Sequence, residues 1–324
     1  MSTAPDIQDL PIRQLRILST LATTGSTSKT AEILGVSQPS VSKTITQLEE
    51  TTGFMLIDRT VRPFKLTHAG IEILSFVDRI LDDADQLKQA VMHLRTNQPT
   101  SLRLGLTELV CDYAGSDLEK SVAGGLASLV TQMAFAPSLS TSFANNEYDI
   151  VITSDIDPSH HLIGEELLSE NFLVVIPKSF GIYEDELPIA DLIRLLNKPF
   201  VTCCPGSIDR QKALSILRIL GLPTTVNFAL ETTKAVARAV VENIGWTILP
   251  PMSFWSVRDR LDSLTVHPIP HVTIKRVTSI AAASSLYLTL TEMLRNTYTV
   301  RFQDTYLPQI CRQKPCLSKY VHLT

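Results

Sequence analysis

The stretch of sequence that decides the fold is STSKTAEILGVSQPSVSKTITQLEETTG, residues 26–53. Ser26 or Thr27 is suited to cap a short first helix, and Gly35 ends that helix because glycine readily adopts the left-handed conformation found there. Ser37 then caps a second helix, whose first turn holds a proline at a position where the missing N–H has no helical partner to lose. Two helices joined by so short a turn predict a helix-turn-helix.

The segments on either side of this pair complete a small domain. Before it, apolar residues recur three apart from Ile12 to Thr23, which predicts a further helix. After it, the apolar runs Phe54–Ile57 and Phe64–Leu66 flank a polar turn and predict the two short strands of a wing. We therefore expect an all-α winged helix-turn-helix domain at residues 1–67.

A long helix with a heptad pattern follows. From His68 the apolar positions alternate between spacings of four and three, and Pro99 ends the pattern. This spacing is typical of a coiled-coil seam between two chains, although a helix packed on its own domain is the alternative. The seam positions are Ile73, Val77, Ile80, Ala84, Leu87, Val91 and Leu94. Residues 68–99 are thus predicted to form a linker and dimerisation helix.

The rest of the chain alternates between short β-like runs and helical patterns. Leu102–Leu106, Asp149–Thr153 and Phe172–Pro177 are typical of strands, whereas Ile208–Leu220 and Thr232–Val241 are typical of helices. This alternation predicts an α/β architecture with mainly parallel sheets at residues 100–302. Residues 303–324 lack periodicity and are predicted to form a C-terminal tail.

Composition limits the class of protein. The chain has 324 residues, 44% of them hydrophobic, and a net charge of −4, so any nucleic-acid binding must rest on a local surface. The N-terminus lacks the basic and apolar regions of a secretory signal, and no apolar run reaches the ~18 residues of a membrane span. The five cysteines form no paired framework. We expect a cytoplasmic protein with no membrane contact.

Residues 12–70 resemble the N-terminal domain of the LysR-type bacterial transcriptional regulators, and the chain to about residue 300 follows the layout of that family. The resemblance rests on motif residues at fixed spacings: Leu15-Arg16, Gly25-Ser26, Ala31-Glu32, Val36-Ser37-Gln38-Pro39-Ser40-Val41-Ser42, Leu48-Glu49, Gly53, Leu56, Arg59, Leu66-Thr67, Ala69-Gly70, Tyr148–Ile152 and Val241–Pro250. Leu18 and Thr27 stand where the family usually has Phe, which predicts a differently packed three-helix core.

The DNA-reading residues are expected at the start of the second helix of the motif, since that end meets bases and phosphates in helix-turn-helix docking. Gln38 has the amide pattern that suits adenine, and Lys43 suits a phosphate, although a solvated Lys43 and a purely capping Ser37 are the alternatives. The predicted DNA contacts are Ser37, Gln38, Pro39, Ser40, Ser42, Lys43, Arg62 and Thr67. Arg59 is expected to anchor the wing through Asp58 or Glu49.

The resemblance implies a two-lobed, periplasmic-binding-protein-like effector domain, with lobe 1 at about residues 100–167 and 270–302 and lobe 2 at about 168–269. Ligands in such sheets lie at the carboxyl ends of strands, near helix N-termini. That rule selects mostly hydroxyl side chains, which suit a small polar effector; helix caps without a ligand are the alternative. The candidates are Thr107, Glu108, Ser138, Thr153, Cys204, Ser207 and Thr232.

The resemblance also implies partners: double-stranded promoter DNA, a small polar effector, further copies of the chain in a homodimer or homotetramer, and RNA polymerase. The competing interpretation is a small-molecule-binding protein or an enzyme with an accessory winged-helix domain. A thiol–imidazole pair would combine Cys203 or Cys204 with His160, His161 or His267, but no nucleophile signature accompanies them. His160 and His161 with Asp155 and Asp157 could suggest a metal site, but the stretch 155–159 is more typical of a connecting loop. Without phosphate-loop, dinucleotide or zinc-protease motifs, we expect no catalytic residue, cofactor or metal.

Overall fold

The computed structural model describes residues 10–61, 63–96, 99–156, 163–181 and 188–324. The chain divides into two compact units, Met1–Thr96 and Asn97–Thr324. The first unit therefore includes the long helix that follows the wing.

The first unit is a winged helix-turn-helix, as predicted. Its elements are α1 (Ile12–Thr24), α2 (Thr27–Leu34), α3 (Gln38–Thr52), β1 (Ile57–Asp58), β2 (Lys65–Leu66) and α4 (His68–Thr96). The side chains of Ser26 and Ser37 cap α2 and α3, and the glycines after α1, α2 and α3 adopt the left-handed conformation. β1 and β2 pair antiparallel. Leu18 is fully buried in the shared core of these elements.

Helix α4 packs one face against α1. Val77 and Leu81 are buried in the core of the first unit, and Ile73 packs against it. On the same face Asp78 accepts a hydrogen bond from Ser19 of α1. The predicted seam is therefore wrong at Val77, because this side chain already contributes to the core of its own domain.

Apolar side chains on the neighbouring face of α4 are open to solvent in the single chain. Phe76, Ile80, Leu87 and Val91 are each at least 42% exposed. The sequence pattern assigned this position of the stripe to Val77, but Phe76 occupies it. An alternating spacing of four and three residues fits either neighbour, so the pattern alone did not distinguish them. The side chain of Leu94 lies outside the described part of the chain.

The second unit contains a six-stranded sheet, which we call the first lobe together with the helices that cover it. The strands are β3 (Ser101–Leu106), β4 (Ser128–Met133), β5 (Ile150–Ser154), β6 (Ile163–Asn171), β12 (Lys275–Ala282) and β13 (Val321–Leu323), and the helices are α5 (Glu108–Ala123), α6 (Ala136–Ala144) and α10 (Leu288–Arg301). The strand order is β13-β6-β12-β5-β3-β4.

The second lobe is inserted between β6 and β12. Its strands are β7 (Leu173–Pro177), β8 (Val201–Cys203), β9 (Phe228–Leu230), β10 (Thr247–Leu249) and β11 (Leu264–Pro268); its helices are α7 (Ile189–Leu196), α8 (Ile208–Ile219), α9 (Thr233–Val241) and a 3-10 segment at Pro251–Ser263. β7 lies between β10 and β11, and β8 pairs with β9. The α/β class and the two lobes are as expected.

The expectation of mainly parallel sheets is wrong. β3 runs parallel to β4 and β5, but β12 runs antiparallel to both β5 and β6. β7 is antiparallel to both of its neighbours. The reason is topological: β6 leads the chain out of the first lobe and β12 brings it back, so the two strands run in opposite directions.

The predicted C-terminal tail is also wrong. Residues 303–324 continue α10 through a π-helical turn, α11 (Leu307–Gln313) and a 3-10 turn into β13, which pairs with β6. Tyr306, Ile310 and Leu317 are at most 1% exposed. The segment lacks periodicity because each short element buries only one or two side chains, yet together they join the core of the second unit.

Candidate functional site

The first candidate surface is the N-terminal turn of α3. Ser37 Oγ accepts a hydrogen bond from Ser40 N at 3.4 Å, which confirms its capping role. Gln38 Nε2 donates to Thr27 Oγ1 at 3.3 Å, so the amide is held beside α2 while the side chain remains exposed. Val41 is fully buried on the other side of the turn. The exposed candidates on this surface are Ser37, Gln38, Pro39, Ser42 and Lys43, with Ser40 half-buried.

Glu49 holds the wing against α3. Its Oε1 accepts hydrogen bonds from Leu56 N at 2.9 Å and Ile57 N at 3.2 Å, and its Oε2 pairs with Arg59 at 2.7 Å. The predicted role of Arg59 is therefore met through Glu49. The backbone at Gly70, near the start of α4, lies so close to Leu56 that a Cβ at Gly70 would be 2.2 Å from Leu56 O. The start of α4 therefore packs against the residue that precedes β1.

The two remaining predicted DNA contacts are Thr67 and Arg62. Thr67 donates its hydroxyl hydrogen to Met55 O at 2.6 Å and accepts from Gly70 N at 3.0 Å, so it caps α4. Because that hydrogen is already donated within the domain, we correct the expectation that Thr67 donates to a phosphate. Arg62 lies outside the described residues.

The second candidate site is the cleft between the lobes of the second unit. Glu108, at the start of α5, accepts hydrogen bonds from the Thr232 hydroxyl and the Thr233 amide at the start of α9. Burial raises the pKa of Glu108 above its ordinary value, and these hydrogen bonds partly oppose that shift. One turn further along α5, Asp112 pairs with Lys234 in the first turn of α9 at 2.8 Å. Two polar contacts therefore join α5 of the first lobe to α9 of the second.

The floor of the cleft is a buried charge network. Arg276 of β12 pairs with Glu170 of β6 at 2.7 Å and with Asp209 of α8 at 3.1 Å. Thr233 donates to Asp209 at 3.5 Å and lies 3.8 Å from Cys203 Sγ. A cation of the first lobe is thus bound to a carboxylate of the second.

A third crossing lies where β5 ends. Asp155 has a positive φ of 54°, which turns the chain, and its carboxylate pairs with Lys212 of α8. Lys212 also donates to Lys275 O at 2.6 Å. One oxygen of Asp155, Oδ2, is buried without a hydrogen-bond partner in the described part of the chain.

The other predicted effector residues lie in different surroundings. Ser207 and Thr232 cap α8 and α9, which agrees with the capping alternative and places both at the cleft. Thr107 precedes α5 and makes no side-chain cap, and Thr153 is fully buried with a hydroxyl that has no partner among the described residues. Ser138 is exposed in the first turn of α6. Cys204 is half-buried after β8.

Sequence reasoning missed the residues that build the floor of the cleft. Arg276 and Asp209 are far apart in sequence, and neither belongs to a motif. A signal was present in β12, where Arg276 stands directly before a run of small or apolar residues at 277–282. A charged side chain entering such a buried strand requires a partner.

Of the residues considered for an enzyme, the structure describes Cys203, Cys204, His267 and Asp155. Burial raises the pKa of Cys203 to about 12, the reverse of an activated nucleophile. His160, His161 and Asp157 lie outside the described residues. Within the described ranges, no cluster of His, Cys, Asp and Glu is suited to hold a metal ion, and no helix is long and apolar enough to cross a membrane.

Comparisons with known proteins agree with this geometry. A probable RuBisCO transcriptional regulator of Phaeodactylum tricornutum is 25% identical over 284 residues, which are 85% of this chain and 92% of the relative. Full-length OxyR from Pseudomonas aeruginosa has the same fold, with a TM-score of 0.60 at 19% identity over 90% of this chain and 98% of that chain. CbnR complexed with its target DNA gives 0.60 at 16% identity over 89% and 100%.

Family models cover both units. Residues 12–71 match the bacterial regulatory helix-turn-helix protein of the lysR family, and residues 128–291 match the LysR substrate binding domain. Because these matches span more than half of the chain, this protein belongs to the LysR family of bacterial transcriptional regulators and combines a DNA-binding domain with an effector-binding domain.

Proposed function

We propose that this regulator reads double-stranded promoter DNA with the N-terminal turn of α3. The observation that carries the proposal is that this turn presents Gln38, Ser42 and Lys43 to solvent while Val41 anchors it in the core. An exposed amide can pair with an adenine edge, and an exposed ammonium can neutralise a phosphate. Arg62 of the wing is proposed as a further contact. We propose that a regulator which binds promoter DNA in this way acts in the cytoplasm.

The cleft is proposed to bind the effector. Support comes from the three polar crossings, at Glu108, Asp209 and Lys212, which a bound ligand would strengthen or replace. Because the Arg276, Lys212 and Lys234 cations are already paired with carboxylates, the cleft suits a small polar ligand without multiple negative charges. A ligand that prefers one lobe arrangement would shift DNA binding through a coupling of ~1 to 3 kcal/mol.

Two or more copies of the chain are proposed to act together. The exposed apolar stripe of α4 offers Phe76, Ile80, Leu87 and Val91 for a helix of a second chain. Pairing would place two reading heads on one two-fold DNA site, which compensates for the few basic residues of each head. We further propose that the chain forms a homotetramer, contacts RNA polymerase and has no catalytic role.

The experiment is a fluorescence anisotropy titration of the full chain on a promoter fragment found by genome-wide mapping of its DNA sites. Gln38→Ala should weaken binding at one base position, whereas Lys43→Ala should weaken it on every sequence and flatten the salt dependence by about one unit of slope. Gln47→Ala, an exposed residue further along α3, is the matched control. Unchanged affinity and base preference in Gln38→Ala would contradict the proposed reading role.

A further inference from the structure

We propose that residues 302–324, here called the C-terminal strap, bind both lobes and set how readily the lobes change their arrangement. The strap leaves the first lobe at the end of α10, crosses to the second lobe with α11, and returns to the first lobe as β13. The inference rests on the proposed function in one respect: it names an element that regulates the lobe movement on which the effector would act.

The first attachment is to the strand that connects the lobes. β13 pairs antiparallel with the end of β6, where Val321 lies opposite Glu170 and Leu323 opposite Leu168. Thr324 N donates to Leu167 O at 3.2 Å. Only Phe172 separates β6 from β7 of the second lobe. The strap is therefore hydrogen-bonded to the strand that must bend when the lobes move.

The second attachment is polar and reaches the second lobe. Gln309 Oε1 accepts a hydrogen bond from Arg258 Nε at 3.1 Å, and Gln313 Oε1 accepts one from Leu261 N at 3.2 Å. Both donors belong to the 3-10 segment Pro251–Ser263. Two glutamines on one short helix thus bind the lobe opposite the one from which the strap starts.

The third attachment is aromatic and joins the lobes directly. The fully buried ring of Tyr306 lies 5.7 Å from the ring of Tyr113 on α5 and 5.6 Å from that of Trp255 in the 3-10 segment. One strap side chain therefore packs on a helix of the first lobe and on a segment of the second. Pairs of rings at these separations stabilise the arrangement beyond the area they bury.

A change of lobe arrangement must strain or break these attachments because they hold both lobes. The described contacts of Gln309 and Gln313 involve neither Glu108 nor Asp209, so the strap acts at a distance from the cleft residues. Weakening the strap should let the lobes separate more often. The Thr233 amide, which donates to Glu108 across the cleft, reports each separation by exchanging its hydrogen with solvent.

The test is hydrogen–deuterium exchange on the full chain without any ligand. In a Gln309→Ala, Gln313→Ala double variant we expect about tenfold faster exchange in the peptide that holds the first turn of α9, and in the β6–β7 junction. The matched control is Gln303→Ala, an exposed strap glutamine with no hydrogen bond to either lobe among the described contacts. Hydrogen exchange in the same peptides should also be faster in a chain that ends at Tyr320 and therefore lacks β13.

Faster exchange confined to α11 and the 3-10 segment, in both the double variant and the shortened chain, would overturn the proposal, because it would show local fraying only. If one variant fails to fold, the other decides. DNA affinity is measured on the same samples. The exchange readout requires neither DNA nor effector, so failure of the strap leaves the proposed function standing, and loss of DNA binding leaves the strap test valid.

Discussion

Arg276 on β12 donates from Nε and Nη2 to the same oxygen of Glu170 on β6, at 3.0 and 2.7 Å. The two side chains are 2% and 0% exposed. Through Nη1, Arg276 also donates to Asp209 and to Ser253 of the second lobe. Removing charges from water carries a large free-energy cost, which close partners offset only when every polar atom is satisfied. The network therefore makes the two lobes dependent on one another at the floor of the cleft.

Arg276→Met should destabilise the effector domain by about 3 to 5 kcal/mol, because it leaves two buried carboxylates without their cation. Adding Glu170→Gln should restore part of that loss. Urea unfolding of the full chain measures both, and Arg218→Met, an exposed arginine on α8, is the control. An Arg276→Met variant as stable as the Arg218→Met variant would refute the structural role of the network.

Leu87→Asp and Val77→Asp should fail in different ways. Leu87 is 66% exposed in the apolar stripe of α4, so the aspartate should break the proposed dimer and leave the domain folded. Val77 is buried in the core of the first unit, so an aspartate there should unfold that unit at a cost of several kcal/mol. Sedimentation together with circular dichroism separates the two. A Leu87→Asp variant that still dimerises at low concentration would exclude the stripe as the interface.

Glu49→Ala should lower the free energy of unfolding of the first unit by roughly 1 to 3 kcal/mol, because it leaves the buried N–H groups of Leu56 and Ile57 without an acceptor. DNA affinity should fall with it, since the wing loses its anchor. The exposed neighbour Glu50 supplies the control variant Glu50→Ala. Equal melting temperatures for the two variants would show that the wing is held in another way.

Glu108→Gln should gain stability relative to the wild type as the pH rises. Burial raises the pKa of Glu108, so between its ordinary and its raised pKa the folded chain holds a proton that the unfolded chain has released. Wild-type stability therefore falls across that window, whereas glutamine stays neutral throughout. Melting curves from about pH 4 to pH 8 measure the difference. Glu119→Gln on the same helix is the control, and a pH-independent difference would contradict the shift.

Thr107→Val and Thr153→Val should weaken the response to effector by about tenfold together while basal DNA binding stays normal, since each removes a hydroxyl worth ~0.5 to 1.5 kcal/mol to a ligand. The buried Thr153 hydroxyl has no partner in the described ranges, so its removal should leave stability unchanged or raised. A reporter gene on the target promoter and a thermal-shift assay measure the two effects. Full effector response in the double variant would place the ligand elsewhere.

The helix-turn-helix was predictable because contacts between residues close in sequence determine it. Ser26 and Ser37 each cap a helix through an amide three residues away, and Gly35 adopts the left-handed conformation that ends α2. Such contacts depend on neighbours within one turn, so their residue types are visible in any window of the chain. The candidate hydroxyls at Ser207 and Thr232 were found for the same reason, as helix caps.

The sequence by itself thus determined the helix-turn-helix, the helix caps within it and the α/β class. Tertiary structure alone decided which face of α4 is buried, where Val77 rather than Phe76 meets α1. It also decided that Arg276 meets Glu170 across 106 residues and that residues 321–323 end as a strand on β6. These pairings bring together groups from distant parts of the chain, and their free energy comes from joint burial, which no local pattern of residues contains.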